Sequence, residues 1–295
     1  MAQSGNRTAK VLDGIERIHW ETTSVLCFVG AVAACLRYLG ESASNDMLMG
    51  VSGGAFKTFW EPPWSAANCD LLIIGEEPVR RTCSALGYGY TYTQDLDHRH
   101  PDHTREFFRE RIVASIDRGV PAIAIGIVGP PECCVIAGYE GDGEVLLGWS
   151  YFQSDRRAYF RASDWYDNCH GLIVLGDKGL PPTRHQILTE SLKWALTLAH
   201  QAEFPAFPSG GRPTRHVFSG LRAYDAMIEA LLRDEDFPSG DLKTLASRTY
   251  ALGNDGVHLL WSKRVAAIHY LESAAQEEPC CASELRAAIV AYAQE

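Results

Sequence analysis

The chain has 295 residues, 46% apolar and 22% charged, with 37 acidic against 27 basic side chains and a formal net charge of −10. That field repels nucleic-acid backbones and anionic membrane surfaces, and no run approaches 18 uninterrupted apolar residues, so neither partner is expected. The apolar share excludes wholesale disorder and supplies a core for one large domain or two modest ones.

The N-terminal residues are polar with no apolar stretch behind them, which predicts a cytoplasmic protein. The first structured feature is the run Cys27 to Gly40, in which Phe28, Val29, Ala31, Val32, Ala33, Ala34 and Leu36 leave no polar face. A helix of that kind is buried on all sides. Thr22, Thr23 and Ser24 offer N-cap chemistry and Gly40 a C′ residue, placing Cys27 at the helix start. There the helix dipole and unpaired N–H groups favour a thiolate, so Cys27 is a candidate nucleophile.

Further along, His103 to Asp117 carries Phe107, Phe108, Ile112, Val113 and Ile116 at helical spacing, and Gly119 ends it. Strands are predicted over 120–128, 133–139 and 144–152, the last two joined by a turn at 140–143 whose Asp-Gly step suits a hairpin. Further strands at 158–161 and 171–176 complete an antiparallel sheet. Helices leading into antiparallel strands indicate an α+β domain. After Pro181 and Pro182 the strands are expected to stop, with 205–213 a proline- and glycine-rich joint. Helices are predicted at 184–202, 217–232, 242–251, 257–275 and 282–293. The expected division is therefore 1–180 as the α+β domain and 181–295 as an α-helical domain.

Nine cysteines without a leader read as free thiols rather than a disulfide framework. No CxxC or CxxH spacing occurs, so neither a metal nor another cofactor is expected. His98, His100 and His103 share a tract that reads as a solvated loop.

The Cys27 segment, the Tyr38-Leu39-Gly40 that follows, the stretch Ser44 to Gly54 and the aromatics Phe56, Phe59 and Trp60 together resemble the butirosin biosynthesis protein H N-terminal family. The likeness continues through 117–123, 135–139 and Gly148, and into the helical part at 220–225 and 264–267. The resemblance implies a papain-like cysteine-protease fold, with a central buried helix against an antiparallel sheet and an appended α-helical region. It also implies cysteine-dependent acyl transfer, or amide or thioester cleavage, on a small-molecule or peptidyl substrate, including one held on a carrier protein, in natural-product biosynthesis.

Two positions depart from that pattern. The histidine expected six residues before Gly138 is Glu132, and the glutamine expected six residues before Cys27 is Glu21. Glu132 as a general base, a histidine from elsewhere (His19 or His170), or a pocket that binds without catalysis are the three readings open at this point. On the catalytic reading the reacting groups are Cys27, Glu132, Glu21 and His19, with Trp20, Trp149, Cys133 and Ser150 against the substrate. Trp149 is expected in the cleft and Phe152 in the core.

Overall fold

The computed structural model describes residues 8–20, 26–62, 64, 68–95, 100–206 and 215–294. In chain order the first elements are β1 (Ala9–Val11), α1 (Cys27–Tyr38), α2 (Asn45–Ser52), β2 (Phe59–Trp60), α3 (Glu77–Leu86) and β3 (Tyr88–Gln94). There follow α4 (Arg105–Asp117), β4 (Ala122–Gly126), β5 (Cys133–Glu140), β6 (Val145–Trp149), β7 (Phe160–Ala162) and β8 (Cys169–Lys178). The chain closes with α5 (Arg184–His200), β9 (Glu203–Ala206), β10 (Arg215–Ser219), α6 (Gly220–Leu231), α7 (Leu242–Tyr250), α8 (Leu259–Glu277) and α9 (Ala282–Gln294). The protein is α+β, and no described helix is long and apolar enough to cross a membrane.

Two compact units emerge. Among the described residues the first comprises 8–43 and 87–179, and the second holds 44–86, 180–206 and 215–294. The expected division at residue 180 is one of the crossings. Ser44–Leu86, however, belongs with the later helices: α2 packs on α3, α5 and α8, and Gly50 lies so close to the Tyr270 ring that a Cβ there would sit 2.4 Å from it.

The first unit is built on an antiparallel sheet in the order β3-β8-β4-β5-β6-β7, with β1 joining β5 over Gly138–Glu140. Every residue of α1 from Cys27 to Leu36 is buried, as its uninterrupted apolar run predicts, and the helix packs on β5 and β4. Burial of Phe28, Val29, Val32 and Leu36 stabilises by about 1.5–3 kcal/mol each. Gly40, at φ 77°, ends the helix as expected: its N–H reaches the Arg37 carbonyl at 3.1 Å and the Glu41 N–H reaches Leu36 at 2.9 Å, a Schellman closure. At the other end the N-cap residue is Leu26, with no side-chain cap bond; Thr22, Thr23 and Ser24 lie outside the described residues. Thr104 caps α4, its hydroxyl accepting from the Phe107 N–H at 3.2 Å. The predicted hairpin turn is present between β5 and β6, with Asp142 at φ 55° and Gly143 at φ 98°. Gly148 allows close strand approach, since a Cβ there would meet the Val135 carbonyl at 2.0 Å.

The second unit corrects one expectation. Strands do not stop after Pro182, because β2, β10 and β9 form a three-stranded sheet in that order. Along β9, Phe204 and Ala206 are buried and alternate with exposed Glu203 and Pro205. Pro205 is tolerated because, among the described residues, β9 is an edge strand with no second neighbour to receive its missing N–H. The helix expected from Val217 consequently starts only at Gly220. Likewise, the break expected near residue 251 is a π-helical stretch, Ala251–His258, that carries α7 directly into α8.

This unit also buries cations. Arg264, at 7% exposure, donates to the carbonyl of Ala55 at 3.1 Å and to the hydroxyls of Thr58 at 2.6 Å and Tyr224 at 3.0 Å. Burial pulls its guanidinium down to about 10, still charged at neutral pH. Lys263, fully buried, donates to Asn68 Oδ1 at 3.0 Å, and the same oxygen accepts the Phe59 N–H at 2.9 Å.

Candidate functional site

Cys27 begins α1, and polar contacts hold the far end of that helix. Glu41, just past α1, accepts from the Lys178 ammonium and from the Tyr88 hydroxyl, which holds its carboxyl below the ordinary value. Lys178 ends β8 and Tyr88 begins β3, so α1 finishes at that edge of the sheet. Its 12 residues span ~18 Å and pack on β5 and β4, with Cys27 at the N-terminus buried. At the opposite edge of the sheet β8 begins with Cys169 and His170, β4 ends at Gly126 and β5 begins at Cys133.

That edge is unlike the rest of the sheet. Register shifts between Ile125 and Gly126 where β4 meets β8, and Ile127 next to it has φ 69°. A β-branched residue in that region is a strained outlier, costing of order 1–3 kcal/mol, and such strain collects at functional sites. Backbone bonds help hold the loop: the Ile127 N–H reaches the Asn168 carbonyl at 2.8 Å, and the Gly126 N–H reaches the Glu132 carbonyl at 2.9 Å.

Asn168 and His170 form a pair here. The Asn168 amide nitrogen donates to the Gly129 carbonyl at 2.9 Å, which turns its oxygen towards His170 Nε2 at 3.1 Å. An amide oxygen only accepts, so the proton of a neutral His170 ring sits on Nε2 and the lone pair on Nδ1. A tautomer held in this way is the arrangement a general base needs.

Of the residues singled out in the sequence, several gather at this edge. Glu132 directly precedes β5, half-buried, opposite Gly126. Trp20 is 48% exposed, with its ring 4.3 Å from Tyr151 and 5.7 Å from Phe152, and half-buried His19 precedes it. Glu21 lies outside the described residues.

Three expectations for substrate contact change. Trp149 is core, not cleft: it is 8% exposed, its Nε1 donates to the Ile15 carbonyl at 2.9 Å and its ring meets Tyr159 at 5.0 Å. Phe152 is the surface residue instead, at 41% exposure, because it lies past the end of β6 and no strand neighbour covers it. Ser150 is buried and works as a clamp, its hydroxyl donating to the Val128 carbonyl at 2.8 Å and accepting from the Phe152 N–H at 3.1 Å. Cys133, the first residue of β5 and 4% exposed, is packed into the sheet opposite Ile125.

The cysteines are free thiols. Burial pushes Cys35, Cys83 and Cys169 up to about 12 and Cys134 higher still, so these remain protonated and inert near neutral pH. Among the described residues no group of three His, Cys, Asp or Glu is placed to hold a metal ion. His103 and His100 stack at 4.0 Å, with His103 Nδ1 3.3 Å from Asp95; His98 lies outside the described residues.

The His170–Asn168 pair is the feature missed by sequence reasoning, which named His170 only as one alternative. A histidine two residues after an asparagine on a strand start was the available signal, and the pattern at 132 drew attention elsewhere. No protein-family model matches this chain, and neither a curated protein nor a solved structure matches it.

Proposed function

We propose that this protein is a papain-like cysteine enzyme that transfers or hydrolyses an acyl group, using Cys27 as nucleophile and His170 as base, with Asn168 orienting the imidazole. The observation that supports this reading is a histidine at a strained sheet edge whose tautomer is set by an asparagine, in a chain whose Cys27 begins a buried helix. On this reading the thiol proton passes from Cys27 to His170 Nδ1 and the thiolate attacks the carbonyl of an amide or thioester. Backbone N–H groups of the first turn of α1 stabilise the oxyanion. His170 returns the proton to the departing amine or thiol, and an amine or water then releases the acyl group from Cys27. In this proposal His19 and Glu132 serve as polar contacts to substrate, and Trp20 and Phe152 as its apolar wall. A cytoplasmic setting and a substrate presented on a carrier protein belong to the same reading.

The test is to mix the protein with aminoacyl thioesters of N-acetylcysteamine and follow intact mass. An adduct on Cys27, lost in Cys27→Ala and discharged by added amine, is the expected result. No adduct with any thioester or activated ester overturns the reading.

A second reading, a papain-like protein that binds a small molecule or peptide without reacting, draws on the glutamate at 132 where the resemblance implies histidine. It predicts that Cys27→Ala leaves ligand affinity unchanged and that no adduct ever forms.

A further inference from the structure

The second unit carries a cleft of about 510 Å³ between α3 and α5. It exists because both helices pack on α2, whose Val51 forms the floor, and stand apart above it. The volume falls within the range of small-molecule sites. From α3 come Arg80, Arg81 and Ser84, and from α5 Gln186, Thr189, Glu190 and Lys193, each set on one helical face.

The charges are arranged rather than scattered. Arg81, with 17% of its side chain exposed, has its guanidinium carbon over the Trp194 ring, 4.4 Å from the centroid, its Nε donating to Glu77 at 2.7 Å and its Nη1 to the Glu190 carbonyl at 3.2 Å. Its Nη2 has no hydrogen-bond partner among the described residues. Arg80 is also held by Glu77, and Lys193 pairs with Glu190 at 2.8 Å. Both carboxyls are held below their ordinary value, chiefly by those hydrogen bonds. The cleft is thus lined by three cations, Arg80, Arg81 and Lys193, together with His185 and one carboxylate, Glu190, in a chain of net charge −10. Val51, Ala85, Pro182 and Ile187 supply apolar surface in the same cleft.

We propose that this cleft is a second ligand site that takes a small organic anion, its phosphate or carboxylate on Arg81 and Lys193 and its apolar body against Val51, Ala85 and Ile187. A guanidinium already fixed by stacking and ion pairing loses little entropy on binding, so its open edge is a ready oxyanion donor. The site is independent of the chemistry at Cys27.

Isothermal titration of the full chain with phenyl phosphate, benzoate, inorganic phosphate and phenol tests this. Phenyl phosphate or benzoate is expected to bind about tenfold or more tightly than inorganic phosphate, since one lost contact of 1.4 kcal/mol is a factor of ten. The better of the two identifies the head group, and phenol is expected to give no measurable heat. Lys193→Gln, at a side chain 66% exposed, and Arg81→Gln are each expected to weaken binding about tenfold, while Arg222→Gln on an exposed pair elsewhere in the unit leaves it unchanged. Lys193→Gln is the decisive variant, because Arg81 also supports Trp194. Absence of binding by both aromatic anions, or equal affinity in wild type and Lys193→Gln, overturns the proposal.

Discussion

The two units bury polar groups in opposite ways. Around α1 the buried polar atoms are thiols: Cys27, Cys35, Cys133, Cys134 and Cys169 sit among apolar side chains, while Asp95, Ser115 and Ser150 are buried elsewhere in that unit. In the second unit full charges are inside, with Arg264 bonded to the Ala55 carbonyl and the Thr58 and Tyr224 hydroxyls and Lys263 to the Asn68 amide oxygen. A neutral core tolerates small changes by repacking, whereas a buried cation commits every acceptor around it. The first arrangement leaves a thiol to be activated locally; the second fixes a scaffold.

Breaking the charged arrangement should give the largest loss. Arg264→Met removes the donor shared by Ala55, Thr58 and Tyr224 and is expected to cost about 3–5 kcal/mol in urea unfolding. A loss below about 1 kcal/mol would show that these acceptors find other partners. In the first unit, Gly148→Ala is expected to cost about 1–3 kcal/mol, because the new Cβ meets Val135 backbone rather than a flexible side chain.

Smaller still is the effect at Ile127. With φ 69° the Gly variant should be more stable than the Ala variant by about 1 kcal/mol, reversing the usual order, since only glycine enters this region without a Cβ penalty. The ordinary order in thermal unfolding would remove strain from the account of this edge.

The smallest effect sharpens the comparison through pH. Glu77 is held below its ordinary value of 4.5, first by its hydrogen bond from Arg80, against an opposing burial effect. A depressed carboxyl contributes stability that is present above the unfolded value and lost as pH falls through the folded one. Stability should therefore decline as pH falls below about 4.5, and Glu77→Gln should flatten that decline. An identical acid profile in the variant would show that other carboxyls govern it.

How much of this was legible follows from the same contrast. The buried helix from Cys27 to Leu36 and strands β4, β5 and β6 could be read because an unbroken apolar run or a Gly-punctuated alternation has one cheap solution. The second unit was harder because Lys263 and Arg264 look like a solvated helix face, and only partners remote in sequence make their burial affordable. Strand β3, Tyr88–Gln94, escaped because its faces are neither clearly apolar nor polar, and β9 because Pro205 reads as a joint unless the edge position is known. At the candidate site Cys27 was visible as a helix start, while His170 and Asn168 acquire meaning only once β8 is laid beside β4. Trp149 and Phe152 exchanged roles because the strand ends three residues earlier than the aromatic run suggests.

The central claim, that Cys27 is a thiol activated by His170, is tested most directly by its alkylation rate. Iodoacetamide at pH 7, with the modified residue located by peptide mass, should label Cys27 well above the rate of glutathione and ahead of exposed Cys280, leaving Cys35, Cys83 and Cys169 untouched. His170→Ala should slow that labelling by about tenfold or more, the lower range for a general base. A Cys27 that reacts no faster than glutathione, or at the same rate with and without His170, would contradict the account.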